Sequence, residues 1–494
     1  METNVRLKNL YLIAVITIGL IGLGIGSTFA MFTASAIINN PITFNSNLSS
    51  SNLLTETIEV TVPAYSDKLV DLDISNVSTE SLYYAAWYSS SSPFIEVAAA
   101  TLNENYGASG ELPSETSFIL TNTLRNRTSS PIVVTLGVIS SLSNSLTVPS
   151  GTTLITLDTL PPLINQNAAT YITDLYLNNK DNGTVTNNLV NYRRASSKKL
   201  MSDKLGESDL TYSNLDGGNV RYYGATPDNY VYFNCTDYLY QDDNTCELWR
   251  IIGVFDGKLK LIRSTSIGNL SWDTSASSSN GGKGLNDWTQ SDLMMILNPG
   301  YDNNSIGNDI FVNNSLYWNR TSGAVNYFSG QNDAYTSLSD PNTMFYNTGI
   351  TEATKTRNII ENTTWGLGPI DLLDLNVTPA TAYKDERETT TWTGKVGVMY
   401  SSDYAYATDF SSCNRLISNY DNDSCRNNDW LYLGSDEWSF TKVGSSSVVY
   451  ISSAGTQEKT DAYNAKAVRP VVFIDSDEYI WRGTGTDADP YRIR

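Results

Sequence analysis

Residues 247–263, ELWRIIGVFDGKLKLIR, carry the strongest folding instruction in the chain. Asp256-Gly257 separates two apolar-rich runs, 248–255 and 258–262, and both residue types tolerate the positive φ of a two-residue type I′ turn. The second run sets Lys258, Lys260 and Arg263 among Leu259, Leu261 and Ile262, nearly the pattern of a strand with one wet face. The first run holds Trp249, Ile251, Ile252, Val254 and Phe255, too apolar for a half-exposed strand, so it is expected at the centre of a sheet. Residues 230–234, YVYFN, add another strand just upstream.

The composition excludes more than it selects. A chain of 494 residues has room for about two or three domains, each with its own core. A formal net charge of −20 and a pI near 4.4 argue against nucleic acid as a partner, because phosphate recognition needs clustered Lys and Arg. Histidine is absent, which removes Ser-His-Asp and Cys-His nucleophile activation, His-ligated zinc and an imidazole pH switch. The four cysteines fall in two local groups, Cys235 with Cys246 and Cys413 with Cys425, and neither has CxxC spacing. Three pairings are formally open; in an exported chain local disulfides are the expected state.

Export is what the N-terminus points to. Arg6 and Lys8 precede residues 10–32, which carry no charge, the length of a signal-peptide core or a spanning helix. Residues 1–36 are therefore expected to be a signal peptide or an N-terminal membrane anchor, with everything after them outside the cell. The stretch GSTFAMFTASA resembles the precursors of camelysin-type biofilm-fibre proteins around their cleavage site.

Residues 37–160 read as all-β. Strand candidates at 57–62, 68–74, 82–88, 95–99, 117–123, 132–138 and 154–157 alternate with turn-prone groups rich in Ser, Pro and Gly. Seven short strands in that span are the pattern of an immunoglobulin-like sandwich, here without an inter-sheet cysteine pair. Within it, PAYSDKLVDLDISNVS followed by LYYAAWYS resembles the Ig-like modules of surface proteins from low-GC bacteria, which implies a spacer or stalk. Residues 161–218 are polar and read as a linker with one short helix at 167–177 and a solvated basic cluster, Arg193-Arg194 and Lys198-Lys199. No repeat of fixed period is expected anywhere.

From 219 to 494 the chain is dense in aromatic residues. A helix is expected at 289–298 with Thr289 as its N-cap, and another over 351–363. Strands follow at 395–400, 438–441, 447–452 and 467–474. The series YVYFN, CELWRIIGVFDGKLKLIR, SIGNLSWDTS, WTQSDLMMILNPGY, WTGKVGVMYSSDYAYAT, NDWLY and AVRPVVFI resembles a domain of unknown function common in exported proteins of gut Firmicutes and wall-less relatives. Its ending is also similar to C-type-lectin-like folds, including those of formylglycine-generating enzymes, so the fold class implied is an α+β C-type-lectin-like domain behind an Ig-like sandwich.

Neither family's functional site carries over. The Glu-Pro-Asn, Gln-Pro-Asp and Trp-Asn-Asp tripeptides of calcium-dependent lectins are missing, since Asn428-Asp429-Trp430 has another order, and Cys413 and Cys425 sit in an Asn/Asp-rich loop. Calcium remains conceivable through oxygen ligands: Asp302 opens an EF-hand-like loop, but Ile306 and Asn313 replace expected ligands, and Asp421, Asp423, Asp242 and Asp243 read equally as turn residues. No metal or other cofactor is therefore expected. The best binding candidates are Trp318, Tyr327, Phe328 and Tyr335, with Phe345 and Tyr346, in a stretch of Asn, Ser and Gly resembling adaptable paratopes. The alternative is that these rings pack beneath long loops.

The expected function is that of an exported surface adhesion protein whose partner is an extracellular protein or glycan. A biofilm-matrix subunit is the alternative, and a carboxylate-based hydrolase comes third because no spacing singles out a catalytic pair. The chain ends DPYRIR without an LPxTG-type signal, so attachment to the membrane is expected through residues 10–32 or a partner.

Overall fold

The computed structural model describes residues 42–48, 56–298 and 349–494, interrupted at 102–104, 145, 159, 161–162, 183–184, 187–190, 203–218, 274–280, 371–376, 388–389 and 444–445. The chain forms two compact units, Met1–Pro161 and Pro162–Arg494, and strand dominates both. Among the described residues no helix is long and apolar enough to cross a membrane; residues 10–32 lie outside them.

The first unit contains β1 (Ile42–Leu48), β2 (Glu56–Val62), β3 (Asp67–Asn76), β4 (Leu82–Ser90), β5 (Ile95–Thr101), β6 (Ser109–Leu112), β7 (Ser117–Asn126), β8 (Ile132–Ser141) and β9 (Thr153–Leu154). One sheet runs β1-β3-β7-β5, the other β2-β8-β4-β6 with β9 on β4. Alternate residues of both sheets, Val70, Leu72 and Ile74 with Val134, Leu136 and Val138 among them, enter a single apolar core.

This unit is an internal duplication with a 50-residue period, which corrects the expectation that no repeat exists. β2-β3-β4 matches β6-β7-β8, and the ladders are reciprocal: Val62 pairs with Ile132, and Leu112 with Leu82. Tyr65 and Glu115 both take positive φ, at 47° and 55°. Asn76 and Asn126, each 1% exposed, close the two halves in the same way. The Asn76 amide donates to the carbonyls of Glu80, Leu112 and Pro113, and the Asn126 amide to those of Ser130, Val62 and Pro63. Their Oδ1 atoms accept from the backbone and hydroxyl of Ser78 and of Thr128. Residue 87 pairs with its own counterpart, 137, at the pseudo-two-fold axis, where only one large side chain fits. Trp87 takes the space and Gly137 yields it: a Cβ there would lie 2.4 Å from the indole. The repeat escaped sequence reading because it conserves residue class and hydrogen-bonding role, with few identical letters.

Asn76→Ala and Asn126→Ala are expected to destabilise the first unit similarly. Each strands buried backbone carbonyls, and a single unmet buried group costs roughly 1–3 kcal/mol. Paired denaturant titrations check this, and a clear effect at only one asparagine would contradict the equivalence.

In the second unit, the strand Glu247–Phe255 is the hub of the largest sheet. It pairs with Tyr230–Phe233, Val220–Tyr222 and Lys258–Arg263, and Lys258–Arg263 continues the sheet to Val471–Ile474. The turn has the expected form, with Asp256 at φ 49° and Gly257 at φ 75°. Gly253 sits at a register shift, where a Cβ would approach the Val220 carbonyl oxygen to 2.1 Å. A second, five-stranded sheet gathers Asn269–Ser271, Ala465–Ala467, Glu437–Val443, Ser447–Ile451 and Gln457–Asp461.

Three local expectations shift. Residues read as a linker from 161 onward join the second unit: Gln166–Asn167 pairs with Tyr479–Arg482, and Asn191–Ala195 with Leu200–Ser202 extends the main sheet. The helix Ala168–Asn179 buries Ile172 and Tyr176, and the basic cluster is partly engaged, Arg194 with Asp181 and Lys199 with Asp409. Sparse but well-spaced apolar side chains suffice when a large sheet stands ready to cover them. The helix expected at 289–298 is Asp292–Leu297, capped by Ser291 whose Oγ accepts from the Met294 N–H, while Thr289 turns back to Asp287. The helix expected over 351–363 is Glu352–Arg357, capped by Thr351 and stopped where Asn358 turns left-handed at φ 53°.

Candidate functional site

Trp318, Tyr327, Phe328, Tyr335, Phe345 and Tyr346 lie outside the described residues, as does Asp302. The described structure fixes the residues on either side of 299–348. At the departure point, buried Asn298 mimics a strand backbone: its Nδ2 donates to the Val396 carbonyl at 2.8 Å and its Oδ1 accepts from the Val396 N–H at 3.0 Å. At the return point, buried Asn234 donates to the Gly349 carbonyl at 3.0 Å and accepts from the Thr351 N–H at 2.8 Å. Asn234 takes positive φ, 52°, directly after the strand Tyr230–Phe233. The next residue, Cys235, is disulfide-bonded to Cys246, and Thr351 donates its hydroxyl to the Cys235 carbonyl. Side-chain hydrogen bonds thus hold the residues on both sides of 299–348, and a disulfide lies beside the second. The second disulfide joins Cys413 to Cys425, as expected.

Three of the acidic turn candidates are occupied by local structure. The Asp242 carboxylate accepts from the N–H groups of Asn244 and Thr245, Asp243 accepts from the Tyr232 hydroxyl, and Asp423 opens a short helix beside Arg426.

A cluster that the sequence did not suggest lies in the core. Lys260 was expected on the wet face of its strand; instead it is fully buried. Phe473 stands opposite Lys260 on the neighbouring strand of the same sheet, and the helix Ser401–Tyr406 brings Asp403 against Lys260. Asp403 binds Lys260 Nζ through Oδ2 and Arg221 Nη1 through Oδ1, the latter at 2.9 Å, and its Oδ2 also accepts from the Tyr400 N–H. Phe255, Tyr400 and Phe473 place ring centroids 4.6 to 5.5 Å from Lys260 Nζ. Burial pushes the Lys260 ammonium down to about 8, with Asp403 opposing. Burial also works to raise the Asp403 carboxyl, but Lys260 and Arg221 prevail and hold it at about 2. Beside this cluster, buried Glu386 accepts from the Ser402 N–H and hydroxyl and from the Thr441 hydroxyl.

A second buried network surrounds Trp430. Arg469 grips Glu437 with two hydrogen bonds and the Leu431 carbonyl with a third, while the Arg250 guanidinium lies 4.5 Å from the Trp430 ring and 4.3 Å from the Tyr230 ring. Asp429 accepts from the Leu431 N–H through Oδ1, and burial raises its carboxyl well above the ordinary range. Burial raises Glu386 in the same direction. A carboxyl whose folded pKa lies above its unfolded value contributes stability below the unfolded value, and that contribution is lost as pH climbs through the folded one. The melting temperature of the second unit is therefore expected to fall as pH rises above the ordinary carboxylate range. Asp429→Asn, which keeps the shape and cannot ionise, should flatten that slope; an unchanged slope would remove Asp429 as its source.

Comparison with protein-family models, curated proteins and solved structures finds no match to this chain. Asp403, Glu386, Asp429 and Glu437 are all buried, beyond reach of an external substrate. What the geometry provides is a set of side-chain hydrogen bonds that hold the residues flanking the aromatic-rich sequence 299–348.

Proposed function

We propose that the chain is an exported cell-surface binding protein, in which an Ig-like sandwich carries a C-type-lectin-like unit that presents residues 299–348 to an extracellular protein or glycan. The supporting observation is the two-point clamp of that stretch by Asn298 and Asn234, the second beside a disulfide. Binding segments gain precision when a rigid scaffold fixes their ends. The two disulfides are compatible with an oxidising, extracellular setting. No metal ion is invoked.

The test is a glycan and protein array probed with the full ectodomain and with a Tyr327→Ala, Phe328→Ala, Tyr335→Ala variant. The variant should lose at least about tenfold in affinity, about 1.4 kcal/mol, with little change in melting temperature. Early melting would make the rings packing residues; unchanged binding would move the site elsewhere.

A matrix subunit is the second reading, and one observation favours it. The pseudo-two-fold axis relates the β7 edge, which β5 covers antiparallel, to the β3 edge. The β3 edge is covered by β1, which runs parallel, Ile42 opposite Val70. A strand that joins its edge parallel where its counterpart joins antiparallel departs from the repeat, and a neighbouring copy could supply such a strand. Concentration-dependent filaments from purified ectodomain would favour this reading; monomers that bind an array ligand favour the first.

A further inference from the structure

We propose that Lys260 and Asp403 condense to an intramolecular amide, tying the strand Lys258–Arg263 covalently to the helix Ser401–Tyr406. The two groups are in direct contact, both side chains are fully buried, and 143 residues separate them in sequence. No external substrate reaches a pair so enclosed, so the chemistry open to it is internal. Holding a reactive pair in contact replaces a bimolecular encounter with an intramolecular one, which accounts for several orders of magnitude in rate.

The step balances without any co-reactant. The ammonium passes a proton to Asp403 Oδ2 along the hydrogen bond that already joins them. The neutral amine then attacks Cγ, forming the C–N bond. Arg221 Nη1, 2.9 Å from Oδ1, faces the oxygen on which negative charge develops. A second amine proton moves to Oδ2, the C–Oδ2 bond breaks and one water leaves. One amide and one water replace one ammonium and one carboxylate.

The surroundings act in both directions. Arg221 favours the ionised carboxylate and so slows the first proton transfer. Against this, burying an ion pair strips water from both charges, and condensation abolishes both. Phe255, Tyr400, Trp365 and Phe473 enclose Nζ and keep out the bulk water that would hydrolyse the product. A tie between the hub sheet and a covering helix suits a unit that bears load at a cell surface, although the proposal does not depend on that role.

Peptide mapping by mass spectrometry of the purified full-length protein, reduced and alkylated, tests the proposal. The peptides carrying Lys260 and Asp403 should be found joined, at their summed mass less one water, with fragmentation placing the link at those two residues. Lys260→Arg should abolish the joined species completely. Recovery of both wild-type peptides separate and unmodified overturns the proposal and leaves an ion pair. A loss of water that maps to Asp403 alone and persists in Lys260→Arg is an aspartyl succinimide and also overturns it.

Discussion

Alanine at Asp403 should bring the second unit close to unfolding. Lys260 and Arg221, both buried, would face each other without the carboxylate that accepts from both. Removing one partner from a buried charge cluster costs about 3–5 kcal/mol, because the remaining charges have lost both water and counter-ion. That approaches the whole stability of a typical domain, roughly 5–15 kcal/mol. If the amide forms, the same substitution removes it as well, so the figure is a lower bound. The measurement is the denaturant midpoint of the Pro162–Arg494 transition, read beside Asp423→Ala as a control. Asp423 pairs with Arg426 at an exposed helix start, where water screens the pair and its contribution is small. Equal, small effects at the two aspartates would show that the buried cluster relaxes or takes up water.

The second large effect is expected at Trp249. Its ring is completely buried in the hub strand, packs edge-on against Phe233 at 5.0 Å, and donates through Nε1 to Glu247 Oε2. That same oxygen accepts from Arg263 Nε at 3.1 Å, across the hairpin. Trp249→Ala removes the ring and leaves a cavity that the paired strands on both sides cannot close, a loss of about 3–5 kcal/mol. Trp249→Phe keeps most of the volume and gives up the Nε1 donor, so it should fall well short of the alanine effect. Comparable losses in the two variants would place the energy in the Glu247 hydrogen bond and not in packing. Melting of both variants by circular dichroism separates these outcomes.

Much of the architecture was legible because it is local. Asp256-Gly257 between two apolar runs dictates a tight hairpin whatever surrounds it, since few other residue pairs accept two consecutive positive φ angles. Each disulfide closes within 11 or 12 residues of sequence, so proximity along the chain already favoured that pairing. Thr351 announces its helix by a hydroxyl placed before residues able to use it. The asparagines that clamp residues 299–348 gave a weaker signal, Asn298 ahead of Pro-Gly and Asn234 beside a cysteine. Their roles depend on Val396 and Gly349, 98 and 115 residues away.

Sequence by itself determined the β-rich character, the hub hairpin, the local cysteine pairs and the exclusion of imidazole chemistry. These depend on backbone preference, short loop closure and composition, which act before any long-range contact forms. Tertiary structure alone decided that Lys260 is buried: its strand reads as half wet, and the helix that covers the polar face arrives from 143 residues further on. It also decided that residues 163–202 belong to the second unit, and that the first unit is two halves facing each other about Trp87 and Gly137. A strand's pattern records which side chains alternate, but what lies over each face is settled only when distant segments compete to cover it.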